Sequence, residues 1–182
     1  MSYFDTVPPQ KWILKGIIGL FVLAVGFHFI YDLTGQNMVA GVFSPVNEST
    51  WEHCKVILWP TILWWTIYYF MKRHTYRIDA AKWFTSQFIS LVVAILAVPV
   101  MYYFYTGAFG IENMAIDIFI VFLAFLVGQY VGYRNYKYGK GIHEMIALFL
   151  IAVIVILFIW FTFNPIHIPL FQDPTTGLYG IS

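Results

Sequence analysis

Charge is what this chain has least of. Only 10% of its 182 residues are Asp, Glu, Lys or Arg, against about 25% in an ordinary soluble domain. Most of its surface must therefore face lipid or a buried interior. The single cysteine, Cys54, excludes an intrachain disulfide. Its setting among Trp, Ile and Leu reads as packing, because reactive thiols need an electropositive, open environment. No basic run with interleaved aromatics is present, which argues against nucleic acid as a partner. Gly-rich phosphate loops, nucleophile elbows and Cys-x-x-Cys pairs are missing too. His143-Glu144 starts like a zinc-protease helix, but Ala147 stands where the second histidine is required. The first apolar run has no small-residue cleavage site after it and is expected to be a span, not a signal peptide. There is no internal repeat.

What the chain has in quantity is apolar and aromatic surface: 60% hydrophobic residues and 21% Phe, Tyr and Trp. A membrane helix needs about 20 mainly apolar residues. Five stretches qualify, at 12–33, 54–71, 83–105, 114–133 and 142–163. The expected fold class is all-α: one transmembrane domain of five helices over residues 1–182, with a short outer helix and an ordered C-terminal tail. All Lys and Arg except Lys55 fall on one side of this layout, which makes that side cytoplasmic. The N-terminus is then inside a cell membrane and the C-terminus outside. Asp5, Asp79 and Glu144 share the basic side, while Asp32, Glu48, Glu52, Glu112, Asp117 and Asp173 lie opposite.

The connectors are unequal. Residues 72–82 and 134–141 read as short basic inner turns, and 107–113 as a plain outer turn. Residues 34–53 hold more. Thr34-Gly35 has the form of a helix C-cap, Ser44-Pro45 that of an N-cap followed by proline, and Ser49 to Glu52 that of a capping box. A short outer helix is expected near Pro45. Three X-Pro pairs after Asn164 predict an outer loop folded back over the bundle.

The polar residues cluster on the outer side. If the segment 43–55 is helical, Glu48, Glu52 and Lys55 share a face, flanked by Asn47 and Trp51, with His53 on another. His28 and Asp32 are spaced i, i+4 near the outer end of the first span, and a carboxylate behind a histidine can orient it for a metal or proton. An ionisable group at that depth should face the bundle interior. Asp117 lies one turn into the fourth span, and His167 in the tail. Pro60 and Pro99 sit within spans, where a freed carbonyl is tolerated beside a cavity or buried in protein. Gly128 and Gly132 form a G-x-x-x-G pair that favours close helix packing, within the chain or in a homo-oligomer.

The stretch Pro45-Val46-Asn47-Glu48-Ser49-Thr50-Trp51-Glu52-His53, with the tail from Phe171 to Ile181, resembles an uncharacterised family of small prokaryotic multi-pass membrane proteins. That family is marked by Pro-Val-Asn-Glu-Ser-x-Trp-Glu-His. The resemblance spans the chain and implies a bacterial or archaeal membrane protein, but carries no activity with it.

Three functions fit these residues. The first is a metal-dependent hydrolase or related enzyme acting on a lipid or amphiphile. His28, Asp32, His53 and Glu48 would ligate a divalent ion such as zinc, Glu52 and Glu48 would serve catalysis, and Asn47, Trp51, Asp117 and His167 would bind. The second is a transporter or binding protein for a cation or small polar solute, although five spans without repeat symmetry weigh against a conventional transporter. The third is a structural or assembly protein. One metal can join His28, Glu48 and His53 only if their side chains lie within about 8 Å and share a cavity, since its bonds are near 2 Å.

Overall fold

The computed structural model describes residues 7–181; Asp5 of the basic-side acids lies outside them. Eight helices follow one another: α1 Pro9–His28, α2 Ile30–Leu33, α3 Met38–Phe43, α4 Thr50–His53, α5 Lys55–Lys72, α6 Ala80–Phe109, α7 Met114–Tyr138 and α8 Glu144–Phe163, with a 3-10 turn at Pro169–Phe171. The boundaries follow local chemistry. Pro9 occupies the first turn of α1, where its missing N–H costs nothing. Asp79 accepts from the Lys82 N–H to start α6, and Gly110, at φ 64°, ends it in the left-handed region. Asn113 caps α7 and His143 caps α8 in the same way as Asp79.

Four helices are long and apolar enough to cross a membrane: Pro9–Leu33 (α1 with α2), α6, α7 and α8. The five-span expectation thus keeps its all-helical class, while α5 falls outside this set. Helix α5 is different in kind. Nine of its residues are buried, among them Ile57, Leu58, Thr61 and Trp65, and it packs against α1 and α6. Half of this helix is covered by its neighbours, where Trp65, Tyr68 and Lys55 are buried, while Leu63, Ile67, Phe70 and Met71 stay exposed.

In a bilayer there would be no water to expel between such helices, and close packing would have to hold the bundle together. Gly128 and Gly132 supply it between α7 and α6. A Cβ on Gly128 would stand 2.7 Å from the Ser90 carbonyl oxygen, and one on Gly132 would stand 2.8 Å from Ser90 Cβ. The same interface carries buried amide–hydroxyl bonds, Gln129 to Ser90 at 3.0 Å and Asn135 to Ser86 at 2.9 Å.

The prolines do not break their helices: α5 and α6 run through Pro60 and Pro99. Pro99 deprives the Ile95 carbonyl of its i+4 donor, and the buried Cys54 Sγ lies 3.8 Å from that oxygen and 3.3 Å from the Thr50 carbonyl, the shorter of its two bonds. The thiol is a packing and bonding group, as its surroundings suggested.

The connection from α1 to α5 departs most from expectation. Three short helices occupy it instead of one near Pro45. Ser44 is the C-cap of α3, with extended backbone, because its hydroxyl donates to the His28 carbonyl and accepts from the Tyr31 N–H. The N-cap is Ser49, which accepts from the Glu52 N–H. Its own N–H goes to Asn47 Oδ1, not to the Glu52 carboxylate. Glu48 therefore precedes α4 and does not share a helical face with Glu52 and Lys55.

The tail folds back as expected. Phe171 is buried against Trp51 and Phe161. Gln172 and Tyr179 form an antiparallel bridge, and Asn47 Nδ2 donates to the Gly180 carbonyl at 2.9 Å.

Candidate metal centre

His28 closes α1, Glu48 lies in the loop before α4, and His53 closes α4. Their ligand atoms come together within 4.8 Å of one another, a group that could hold a metal ion. His28 Nε2 is 3.2 Å from His53 Nε2, and His53 Nε2 is 3.4 Å from Glu48 Oε2. His53 Nδ1 lies 3.0 Å from the Ser49 carbonyl oxygen. A carbonyl only accepts, so this bond puts the His53 proton on Nδ1 and turns the bare Nε2 lone pair toward the other two residues. That is how metal-binding histidines are usually oriented.

These residues line one end of a cavity of about 570 Å³. Its walls are apolar, from Phe21, Ala24 and Val25 of α1, Val98 of α6, and Ile118 and Val121 of α7. Its other polar residues are Thr50, Tyr102, Glu112, Asp117 and Thr175. The Tyr105 hydroxyl donates to Asp117 Oδ1 at 2.6 Å, and the Tyr102 hydroxyl to Glu112 Oε1 at 3.4 Å. Glu112 and Tyr102 escaped the sequence reading, which took 107–113 for a plain turn. The signal was available: Tyr102 and Tyr105 are i, i+3 partners at the end of α6, facing the acids beside the Asn113 cap.

The remaining expected site residues lie elsewhere. Asp32 is exposed on α2, beyond the interruption at Phe29, and His28 Nδ1 is buried with no hydrogen-bond partner. Glu52 is 2% exposed and does not line the cavity. Its Oε2 accepts from Lys55 Nζ at 2.5 Å and the Val46 N–H at 3.0 Å, and its Oε1 from the Thr162 hydroxyl at 3.2 Å. Lys55 Nζ, 0% exposed as a residue, also donates to the Gly41 and Ser44 carbonyls. This pair ties α5 to the 41–46 segment and to α8. Trp51 stacks on Phe158 at 4.2 Å under the tail. Asn47 straps the tail to the loop. His167 is exposed and stacks on Tyr179, away from the cavity.

Asp173 is the tail's fastener. Burial disfavours its charge, but bonds from the Thr175 and Thr176 N–H groups, the Thr176 hydroxyl and the Glu48 backbone outweigh that and lower its pKa below the ordinary 3.8. A depressed carboxylate stabilises the fold above its unfolded pKa and stops doing so as pH falls through the folded value. The tail should therefore stay fastened at neutral pH and loosen only below about pH 3.8. Asp173→Ala should remove about 1–3 kcal/mol of local stability, the range for bonds to a charged acceptor. Amide exchange across 171–180 would then speed up at pH 7; protection equal to that of the parent protein would refute the fastener role.

No curated protein and no solved structure matches this chain. A family model described as "Family of unknown function (DUF6512)" matches residues 1–181. With the match running over essentially its whole length, the chain belongs to that family of unknown function.

Proposed function

We propose that this protein is a five-span integral membrane enzyme holding one divalent metal ion, zinc by preference, on His28, Glu48 and His53, and hydrolysing an amphiphile at the outer face. One observation carries the reading. In a tetrahedral site with bonds near 2.0–2.1 Å, neighbouring ligand atoms stand about 3.3 Å apart. Two of the three ligand pairs here stand at 3.2 and 3.4 Å, both through a His53 nitrogen whose lone pair faces the other ligands, and the His28–Glu48 pair lies within 4.8 Å. Two histidines and a glutamate leave one position open toward the cavity, the arrangement of catalytic rather than structural zinc.

Helix α5 is the fifth span. Its 18 residues reach about 27 Å at 1.5 Å each, close to the hydrocarbon thickness of a bilayer, and its neighbours shield its aromatic surface. The basic residues at the far end of the bundle set the N-terminus in the cytoplasm, which puts the metal group outside.

A bound divalent ion would supply a polarised water with a pKa near 7. The chain's own part is to hold the site. The Ser49 carbonyl keeps the His53 ring in register, and Glu48 would offset the ion's charge. Glu52 is committed to Lys55, so Glu112 and Asp117, which face the cavity, are better placed to exchange protons with a substrate.

Elemental analysis tests this. Protein incubated with zinc and desalted should carry one zinc per chain, and His53→Ala should weaken binding at least about 100-fold, with His28→Ala similar. A parent protein without zinc, or both variants loading zinc as the parent does, would end the reading.

A further inference from the structure

The cavity has a second pair of acids, Glu112 and Asp117, that the metal group leaves unused. Toward the basic end of the bundle α1 and α7 touch: a Cβ on Gly16 would stand 3.0 Å from Gln129 Oε1, and Phe21 meets Phe122 edge-on at 5.7 Å. Beyond that point the cavity lies between the two helices. There Val25, Phe29, Met114 and Ile118 line it while remaining at least half exposed on the bundle's flank. In a bilayer that flank faces acyl chains, so the opening is lateral and apolar. Glu112 and Asp117 line the same cavity. Tyr102 and Tyr105 each hold one carboxylate oxygen. The second oxygen of each acid accepts no bond among the described residues. Neither Lys nor Arg lines the cavity. Glu48 adds a third carboxylate, offset if a metal is bound.

An anionic head group brought here would meet like charge with no side-chain cation to answer it. A cationic one would find two carboxylates, Asp117 half-buried and Glu112 exposed, beside an apolar wall. We propose that the cavity takes a single-chain amphiphile with a primary-amine head, its chain between α1 and α7 and its ammonium group against Glu112 and Asp117. The chemistry performed on that amphiphile rests on the metal reading above, but the binding rests on the cavity alone.

The test uses the full-length protein in phosphatidylcholine nanodiscs, with hexadecylamine, hexadecanol and hexadecanoate as probes and empty nanodiscs as the blank. Hexadecylamine should bind saturably at one per chain and at least about tenfold more tightly than hexadecanoate. Glu112→Gln combined with Asp117→Asn keeps both tyrosine bonds and the side-chain shapes, and should erase that preference. Equal affinity for amine and acid, or a preference unchanged in the double variant, overturns the inference. His53→Ala separates the two proposals. Amine selectivity that survives in this variant supports the head-group site even if no zinc is found. Selectivity lost in His53→Ala but intact in the acid variant overturns it, whatever the zinc content.

Discussion

Glu52→Ala should unfold this protein more readily than any other single polar substitution. Lys55 and Glu52 are both sealed from solvent, and removing one partner of a buried ion pair typically costs about 3–5 kcal/mol because the other charge is left uncompensated. Here the loss spreads further. The Val46 N–H loses its acceptor, the Thr162 hydroxyl is left with the Phe158 carbonyl alone, and the Lys55 ammonium keeps only the Gly41 and Ser44 carbonyls. The short helices α3 and α4, anchored through this pair, should detach from α5, and with them the loop that carries Glu48. Glu52→Gln keeps one acceptor oxygen, enough for only one of the two neutral donors, which meet different carboxylate oxygens, and should fall between the parent and Glu52→Ala. Cys54 makes the measurement direct. It is the only thiol and is buried one residue before Lys55, so a thiol-reactive dye reports opening of this region during heating. A labelling midpoint for Glu52→Ala within two or so degrees of the parent would contradict an ion pair worth several kcal/mol.

The second large effect is expected at the glycine pair. Gly128→Leu or Gly132→Leu would drive a side chain into the α6 backbone. Even a methyl group at Gly128 would meet the Ser90 carbonyl at 2.7 Å and Ala94 Cβ at 2.8 Å. Neither neighbour can rotate away, since one is backbone and the other a helical methyl. Overpacking of this sort costs about 1–3 kcal/mol or more, and it would also pull Gln129 and Asn135 from their serine partners. The prediction is a lowered unfolding midpoint with the particle mass unchanged. If the pair instead served contacts between chains, the same substitutions would reduce the oligomer and spare the thermal midpoint. Light scattering coupled to gel filtration, run beside the melt, tells these outcomes apart.

Much of the architecture was readable from the residues alone, for reasons that are local. Helix ends at Asp79, Gly110, Asn113 and His143 depend on capping groups within four residues of one another. Long apolar runs declare helices that can cross a membrane wherever lipid-facing surface dominates. The stretch 54–71 was counted as a span, yet α5 falls outside the set long and apolar enough to cross a membrane: a helix half covered by its neighbours is partly released from the need to be apolar. The site was half legible. His28 and His53 stood out as ionisable groups at one depth, and they do converge. Glu48 was paired with the right neighbourhood through the wrong geometry, as a helical face-mate of Glu52. It reaches His53 from a loop whose path is set by bonds from Ser44 to His28 and Tyr31.

What the sequence determined by itself is therefore the helical class, the segregation of charge to opposite ends and the end at which the polar residues gather. Those properties are sums over local composition. What only the tertiary structure decided is which of the gathered acids are free. Glu52, the acid with the most helix-like signature, is consumed by Lys55. Glu48 is left for the histidines, and Glu112, from an unremarked turn, faces the cavity instead. The Glu52–Lys55 contact is local, but the partners that complete the allocation, Tyr102 for Glu112, His28 for His53 and Thr162 for Glu52, stand 10, 25 and 110 residues away, and pairing at such separations leaves no periodicity in the chain.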